Sequence, residues 1–516
     1  MLAAITALAA ALRVWGLRFG LPDVMARPDE EAITTIAARF VLIGPNPNFF
    51  DYPTLFMHVV AFIERSWPGG QAVLDGTLPR LISRSLAAGL GTATVPLIFV
   101  IGRRLFTMRA GLLASAFLSI AFLHVRDSHF GVTDVPMTFM AVLAFLVIVC
   151  LPAERAPLWM AAVAAVLCGL ATSTKYNAAL IVVPLLIAVW QRNGRGWVYA
   201  IIAVGFVGGF LAGTPYAWFA RQKFAADLIG LQSHLSGGHA TDEGLGWIRH
   251  LTFSLRYGLG LPMLLAALVG FGWLIVSDRR SAWVVLAFPV LYYLGMGSGR
   301  TVFMRHMTPV VPFAALLAAF ALDRTTTFLV ARLKPRAPDR RPTDEVRALS
   351  RASVSAAAVV ALLGVAIAFD SARRSVALDR LLAETDSRAV AAAFIKDHYF
   401  PRGASVFQNG SIYGQVPLVP EGIYHVTPLD RLPELVIIQS SPLKAYSDQP
   451  PEWGLKIAGR YKEILRVPVE RTTPTGPAGP DPIFDQQDAF FVPVVGFERY
   501  LRPGPAIEIF ERIENP

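Results

Sequence analysis

Apolar segments separated by short polar breaks run through the first 370 residues of this chain. A helix needs about 20 residues to cross the roughly 30 Å hydrocarbon core of a bilayer, and several of these segments are somewhat shorter. Hydrophobic residues make up 54% of the chain and charged residues only 16%, unlike an ordinary soluble protein. The sequence therefore predicts a polytopic α-helical membrane protein with about eleven transmembrane helices, at residues 2–19, 83–106, 110–125, 135–151, 157–172, 177–190, 197–218, 253–276, 282–296, 308–322 and 354–369.

The net charge of +10 comes from Arg-rich breaks between the apolar segments. Alternate short breaks are basic, which is typical of cytoplasmic loops. If these basic breaks are cytoplasmic, the loops between them lie on the opposite, extracytoplasmic side. That side then holds residues 21–82, residues 220–252 and everything from residue 371 onward. Membrane topology thus accounts for the charge, and we expect no nucleic-acid partner. The basic breaks contain Arg103, Arg104 and Arg109, then Arg155, then Arg192 and Arg195, then Arg279 and Arg280, and finally the stretch 324–351.

Beyond residue 370 the composition is mixed, and the pattern favours a small α/β domain. It predicts a helix at residues 387–398. It predicts strands at residues 405–408, 435–438, 490–495 and 506–510. We therefore divide the chain into a membrane domain of residues 1–370, with a first extracytoplasmic loop at 21–82, and an extracytoplasmic domain of residues 371–516.

Three adjacent carboxylates, Asp29, Glu30 and Glu31, follow the first apolar segment. A charge at the centre of a bilayer costs about 2.5 to 3.5 kcal/mol on an insertion scale, so acids beside a membrane need a reason. One reason is helix capping, because Pro28 suits a first turn and the acids complement the helix dipole. The other is carboxylate chemistry, and the two roles are compatible.

Cations and other polar residues gather on the same predicted side as these acids. Arg and Lys bind phosphate, whereas carboxylates act on hydroxyl groups or hold a metal. Together they favour a negatively charged, lipid-linked substrate. Taken singly, each has an ordinary structural explanation, such as an Arg that reaches from a helix end to the membrane surface. The residues are Arg126, Asp127, Ser128, His129, Asp134, Lys175, Tyr176, Asn177, Ser233, His234, His239, Arg300, Arg305 and His306.

A series of short motifs resembles the bacterial branch of the dolichyl-phosphate-mannose protein mannosyltransferase family. The resemblance covers roughly residues 1–325, and the series is specific although no single motif is. It implies the GT-C membrane fold, which this family shares with the aminoarabinose transferases of lipid A. The motifs are Arg-Pro-Asp-Glu at 27–30, Asp-Tyr-Pro-Thr-Leu at 51–55, Arg-Asp-Ser-His-Phe-Gly-Val-Thr-Asp-Val-Pro at 126–136, Gly-Leu-Ala-Thr-Ser-Thr-Lys-Tyr-Asn at 169–177 and Arg-His-Met-Thr-Pro-Val-Val-Pro at 305–312.

The resemblance implies transfer of a sugar from a polyprenyl-phosphate donor to an acceptor hydroxyl outside the cytoplasm, on a protein, lipid or glycan. The enzyme would lie among the lipids of the inner (plasma) membrane. Asp29 matches the acid that serves as general base or orients the acceptor, with Glu30 as its partner. Where the family often has a His, this chain has Arg27. The remaining expected site residues are Asp134 and His129 near the acceptor or a metal, and Lys175, Arg300, Arg305 and His306 at the donor phosphate.

No cofactor is certain from the sequence. Oxygen ligands from Asp29, Glu30 and Asp134 would suit Mg²⁺ or Mn²⁺ equally, so a divalent cation stays open. Cys150 and Cys168 both lie inside apolar segments and form no Cys-x-x-Cys motif, which supports neither a disulfide framework nor a zinc site.

Two other classes of protein fit part of the pattern. A multi-span transporter of a lipid-linked or anionic substrate would also have many spans and charges along its path. However, the acids lie in loops, and no pair of interrupted helices recurs in two similar halves. A lipid-binding scaffold would need the cations but not Asp29. The sequence therefore favours an enzyme.

Overall fold

The computed structural model of the chain describes residues 1–67, 77–154, 156–333, 342–447, 452–473, 476–477 and 479–513. Residues 334–341 of the predicted cytoplasmic stretch lie outside this described part, as does the side chain of His234. The first helices are α1 (Leu2–Val14), α2 (Pro28–Leu42), α3 (Leu55–Ser66), α4 (Thr77–Leu105), α5 (Met108–Ile120), α6 (Phe122–Asp127), α7 (Asp134–Val149), α8 (Leu158–Thr172), α9 (Val182–Trp190) and α10 (Gly196–Gly213). They are followed by α11 (Tyr216–Phe219), α12 (Arg221–Gly237), α13 (Gly246–Arg249), α14 (Arg256–Leu259), α15 (Leu261–Ser277), α16 (Arg279–Gly297), α17 (Val311–Leu333), α18 (Pro342–Leu382), α19 (Ser387–Tyr399) and α20 (Glu452–Ile457).

Each apolar segment predicted from the sequence falls on one or more of these helices. In the described part of the chain, three helices are long and apolar enough to cross a membrane alone: Thr77–Leu105, Gly196–Gly213 and Met304–Leu329. The bent pair Gly246–Leu259 and Leu261–Ser277 would add a fourth span, and shorter apolar helices of 10–17 residues accompany them. The polytopic helical class is confirmed, while the number of about eleven spans stays a prediction.

Glycines allow α8 and α10 to pack with their backbones in contact. A methyl group on Gly169 would lie 2.1 Å from the carbonyl oxygen of Phe206, and one on Gly209 would lie 2.3 Å from that of Val166. Small residues at such crossings are typical of paired membrane helices, because close approach gives the van der Waals contact that holds them together. Gly208 points elsewhere, and a methyl group there would meet nothing within 4 Å.

Polar residues lie where apolar helices begin or are interrupted. Lys175 precedes a 3₁₀ turn at Tyr176–Ile181 that leads into α9, and Asp134 is the first residue of α7. A second 3₁₀ turn, Met304–Val310, leads into α17. Helix ends expose unpaired backbone groups and tolerate charged side chains better than helix centres do. The breaks therefore collect charged residues at one end of the bundle.

The loop after α1 leads into α2, whose first turn holds the three acids. Pro28 is the first residue of α2, and Asp29, Glu30 and Glu31 follow directly. Proline has the φ angle of a helix start, and acids there complement the helix dipole. The predicted helix start is thus confirmed, with Asp29 in the first turn of α2, although no side chain forms a cap hydrogen bond there.

The C-terminal region contains the strands β1 (Ala404–Gln408), β2 (Tyr424–Val426), β3 (Leu435–Ser440), β4 (Tyr461–Val467), the two-residue pair β5 (Thr472–Thr473) and β6 (Gly476–Pro477), and β7 (Ala506–Arg512). Five of them form a mixed sheet in the order β2-β1-β3-β7-β4. β1 pairs in parallel with β2 and β3, whereas β7 pairs antiparallel with β3 and β4. Helix α19 packs against the sheet through Ala391, Ile395 and Tyr399. The small α/β domain predicted from the sequence is confirmed.

The segment 484–497 of the C-terminal region packs against the membrane helices. We predicted a strand at residues 490–495, and this is wrong. Within these six residues the structure has only an isolated bridge from Val495 to Ile483, and a 3₁₀ turn, Phe497–Arg499, follows. The Phe490 ring instead packs edge-on against Phe130, with centroids 4.8 Å apart. The segment is apolar because it is buried against the helical bundle. In the sequence, a buried irregular segment and a buried strand both appear as a short apolar run. We call residues 484–497 the docking segment.

Helix α18 runs from residue 342 to residue 382, through the boundary that we placed between residues 370 and 371. The division into 1–370 and 371–516 therefore stays a prediction.

Candidate active site

A cavity of about 230 Å³ opens where the helix breaks, the first loop and the docking segment meet. Acids, cations and hydrogen-bonding side chains line it together with a few apolar residues. Such a concave site with converging polar groups is the usual form of a binding pocket. The residues that line it are Pro28, Asp29, Asp51, Tyr52, Lys175, Tyr176, Asn177, Leu231, His239, Met296, Thr301, Phe303, Arg305, His306, Tyr446, Gln487, Asp488 and Ala489.

Asp29 lies on the cavity wall, with its side chain 17% exposed. Its Oδ2 accepts a contact from Arg305 Nη2 at 2.8 Å. It is also hydrogen-bonded to Tyr52, whose pKa is raised well above its ordinary value by burial and, secondarily, by the negative charge of Asp29. Tyr52 therefore stays protonated and donates to Asp29. The carboxylate is reachable from the cavity and oriented from two sides.

Lys175 brings a second charge pair to the cavity. Its Nζ lies 2.6 Å from Oδ1 of Asp134, which is buried behind it. Asn177, two residues later, donates to the Tyr292 hydroxyl at 2.8 Å. Asp134 thus does not line the cavity itself but holds the Lys175 ammonium in place.

Arg305 lies between two carboxylates. Nη2 contacts Asp29, and Nη1 donates to Asp488 Oδ1 at 3.0 Å. The neighbouring His306 is buried and lines the same cavity, and its Nδ1 has no hydrogen-bond partner among the described residues. Arg305 and His306, two of the four residues predicted at the donor phosphate, therefore both line the cavity.

Asp488 is a charged residue of the site that the sequence did not reveal. It lies in the docking segment, 1% exposed, and contacts Arg27 at 2.9 Å, Arg126 at 2.8 Å and Arg305 at 3.0 Å. Burial by itself would raise the pKa of Asp488, but the positive charges of Arg27, Arg305 and Arg126 lower it to about 2. The only sequence signal was a pair of acids, Asp485 and Asp488, beside a strongly apolar stretch.

Besides Asp134, three predicted site residues do not line the cavity. Glu30 is fully buried and accepts two bonds from Arg84, at 2.8 and 2.7 Å. His129 is buried too, with its ring nitrogens bonded to the Val125 and Trp15 carbonyl oxygens. Arg300 has an exposed side chain and is not part of the lining. The adjacent acids Asp29 and Glu30 therefore point to different surroundings, since successive helix residues lie on different faces.

A divalent cation among Asp29, Glu30 and Asp134 finds little support in this geometry. Within the described residues, no three His, Cys, Asp or Glu side chains are grouped as a metal site. Each of the three acids is already paired with a different cation, namely Arg305, Arg84 and Lys175. The carboxylates as arranged do not fit a metal, and we derive no chemical step from one.

Comparison with known proteins supports a specific fold. A family model described as dolichyl-phosphate-mannose-protein mannosyltransferase matches residues 67–229. Among curated proteins, none matches the sequence.

Solved structures resemble nearly the whole chain. ArnT from Cupriavidus metallidurans, bound to undecaprenyl phosphate, matches with a TM-score of 0.55 at 14% identity, over 90% of this chain and 95% of ArnT. The same protein in the apo state matches with a TM-score of 0.56, also at 14% identity, over 98% and 97%. The oligosaccharyltransferase AglB from Archaeoglobus fulgidus, in complex with an inhibitory peptide and a dolichol-phosphate, matches with a TM-score of 0.53 at 11% identity, over 92% and 73%. The GT-C fold is therefore confirmed.

Proposed function

From the premise that this is a GT-C membrane protein related to the dolichyl-phosphate-mannose protein mannosyltransferases, we propose that it transfers a sugar from a polyprenyl-phosphate donor to an acceptor hydroxyl. One observation carries the proposal: a reachable carboxylate, Asp29, shares a cavity with Lys175 and Arg305. The cations suit a phosphate, and the carboxylate suits a hydroxyl that must lose its proton.

The chemistry needs only these groups. The acceptor hydroxyl oxygen attacks the anomeric carbon of the sugar, and Asp29 takes the hydroxyl proton. The bond between that carbon and the phosphate oxygen breaks, and its electron pair leaves with the polyprenyl phosphate. Lys175 and Arg305 stabilise the negative charge on this leaving group, so no general acid is required. Direct attack from one face inverts the anomeric centre, as in other single-displacement sugar transfers.

The surroundings of the cavity support a lipid-linked donor. The site lies at one end of an apolar helical bundle, where a carrier chain can stay in the membrane while its phosphate reaches the cations. The Arg-rich breaks support a position of this end outside the cytoplasm, because short basic loops are typical of the cytoplasmic side. We infer an enzyme of the inner membrane whose acceptor is a protein, lipid or glycan on the extracytoplasmic side.

Transfer in a defined membrane tests the proposal. The purified protein is placed in liposomes with a panel of radiolabelled polyprenyl-phosphate sugars and a membrane extract that supplies acceptors. Labelled product should form with one donor and release free polyprenyl phosphate. If the label only crosses the bilayer while its bond to the carrier stays intact, the protein is a transporter and the proposal is wrong.

Arg305→Ala tests the phosphate role. It should raise the donor KM strongly, and Arg305→Lys should restore it only in part, because Lys lacks the planar fork of N–H donors. Arg374→Ala is the matched control: Arg374 is also a carboxylate-paired arginine, 2.8 Å from Asp370, but it does not line the cavity. Equal effects of the two alanine variants on donor KM would refute the assignment of Arg305.

A further inference from the structure

The docking segment reaches the active cavity from the far end of the chain. We propose that Asp488 is a positioning residue for sugar transfer, which holds Arg305 in the orientation that binds the donor phosphate. The inference rests on the proposed function. It makes the C-terminal domain a constituent of the donor site.

Contacts on both sides fix the plane of the Arg305 guanidinium. Asp488 holds Nη1 and Asp29 holds Nη2, while the guanidinium carbon lies 4.0 Å above the centre of the Phe303 ring. A guanidinium has further N–H donors in the same rigid plane, so donors remain for a phosphate. A side chain that is already oriented loses less conformational entropy when its ligand binds.

The backbone before Arg305 is held by the same segment. The Gln487 side-chain oxygen accepts from the Val302 N–H at 2.7 Å, and Asp485 Oδ2 accepts from the Met304 N–H at 2.9 Å. Asp488 then accepts a hydrogen bond from the guanidinium of Arg305 itself. Three hydrogen bonds from residues 485–488 thus hold both the backbone before Arg305 and its guanidinium.

Charge also requires Asp488 at this place. Arg27 and Arg126 are buried beside Arg305, and each contacts Asp488 at less than 3.0 Å. Their other carboxylate, Asp127, lies 3.7 Å from Arg27 and 3.3 Å from Arg126. Without Asp488, three neighbouring cations would repel one another, and Arg305 would be free to turn toward the remaining acids. The carboxylate therefore keeps the cation cluster together and aligned.

A double-mutant cycle tests the proposal in the full-length protein. Asp488→Asn should lower kcat/KM for the donor about 10- to 100-fold, within the range of coupling seen between contacting residues, with acceptor KM unchanged. In an Arg305→Lys background the same change should cost no more than about 3-fold, because Asp488 acts through Arg305. Additive losses, or equal losses for donor and acceptor, would overturn the inference.

Asp386→Asn is the matched control for the loss of a buried carboxylate. Asp386 pairs with Arg388 at 2.7 Å in the same C-terminal region but does not line the cavity, so its variant should keep the donor KM. If Asp488→Asn is recovered unfolded, Asp488→Glu replaces it, because this variant keeps the negative charge but moves it. Wild-type kinetics of Asp488→Glu would refute the positioning role. A loss of kcat/KM for the donor alone would support it. A wild-type protein that transfers no sugar refutes the proposed function instead.

Discussion

The adjacent acids Asp29 and Glu30 should respond to neutralisation in opposite ways. Asp29→Asn removes the proposed base, so turnover should fall by about two to four orders of magnitude, or about 2.7 to 5.4 kcal/mol in activation free energy. Its cost in stability should be only about 1 kcal/mol, because Asp29 is partly exposed and its partner Arg305 keeps Asp488.

Glu30→Gln should instead weaken the fold. Glu30 accepts from Arg84 Nε at 2.8 Å, from Arg84 Nη2 at 2.7 Å and from the Gly131 N–H at 2.7 Å, and both side chains are fully buried. Breaking a buried ion pair by removing one charge costs about 3 to 5 kcal/mol. The turnover of the molecules that stay folded should fall far less than in Asp29→Asn.

Two measurements on the same preparations separate these outcomes. Thermal unfolding in detergent reports stability, and single-turnover transfer from a saturating donor reports the chemical step. Asp23→Asn, an exposed acid in the same loop, serves as the control and should match the parent in both. Near-normal turnover by Asp29→Asn would refute the general-base role of Asp29. If Glu30→Gln keeps the parental stability but loses turnover, Glu30 does not act by stabilising the fold, and our assignment of Glu30 is wrong.

Three further predictions concern packing, pH and topology. Gly209→Ala should destabilise the α8–α10 pair by about 1 to 3 kcal/mol, because its methyl group would meet a carbonyl oxygen, whereas Gly208→Ala should be neutral or slightly stabilising. Glu64 is buried without a hydrogen-bond partner among the described residues, and burial raises its pKa to about 7. Its contribution to stability is then full below its unfolded pKa near pH 4.5 and is lost as pH rises through about 7, so Glu64→Gln should stabilise the protein by about 2 kcal/mol at pH 8. In a cysteine-free background, membrane-impermeant thiol reagents should label Ser236→Cys from outside the cell and Arg195→Cys only after the membrane is opened.

Each of these has a result that contradicts it. Equal melting temperatures for the Gly208 and Gly209 variants would remove the close helix contact as a source of stability. A Glu64→Gln advantage that persists unchanged at pH 4 would show that its charge is not the cause. Labelling of both cysteines from one side would contradict the predicted sidedness of the cavity.

The sequence by itself determined the membrane class and the positions of the helices. Apolar runs long enough to bury a helix carry this information locally, so each predicted segment falls on a helix. Proline and acids at residues 28–31 likewise marked the start of α2, because capping depends on neighbours in sequence. The motif series pointed to the GT-C fold. The resemblance, together with charge and predicted side, also named Asp29, Lys175, Arg305 and His306, which line one cavity in the structure.

Only the tertiary structure decided which of these charges face the cavity. Asp29 and Glu30 are adjacent in sequence, yet one lines the site and the other is buried against Arg84, because the direction of each side chain depends on how α2 packs. Asp488 reaches its three arginines across separations of up to several hundred residues, and no local pattern records such a pairing. The apolar docking segment was mistaken for a strand for the same reason: hydrophobicity shows that a segment is buried, whereas its partner is fixed only when the chain folds.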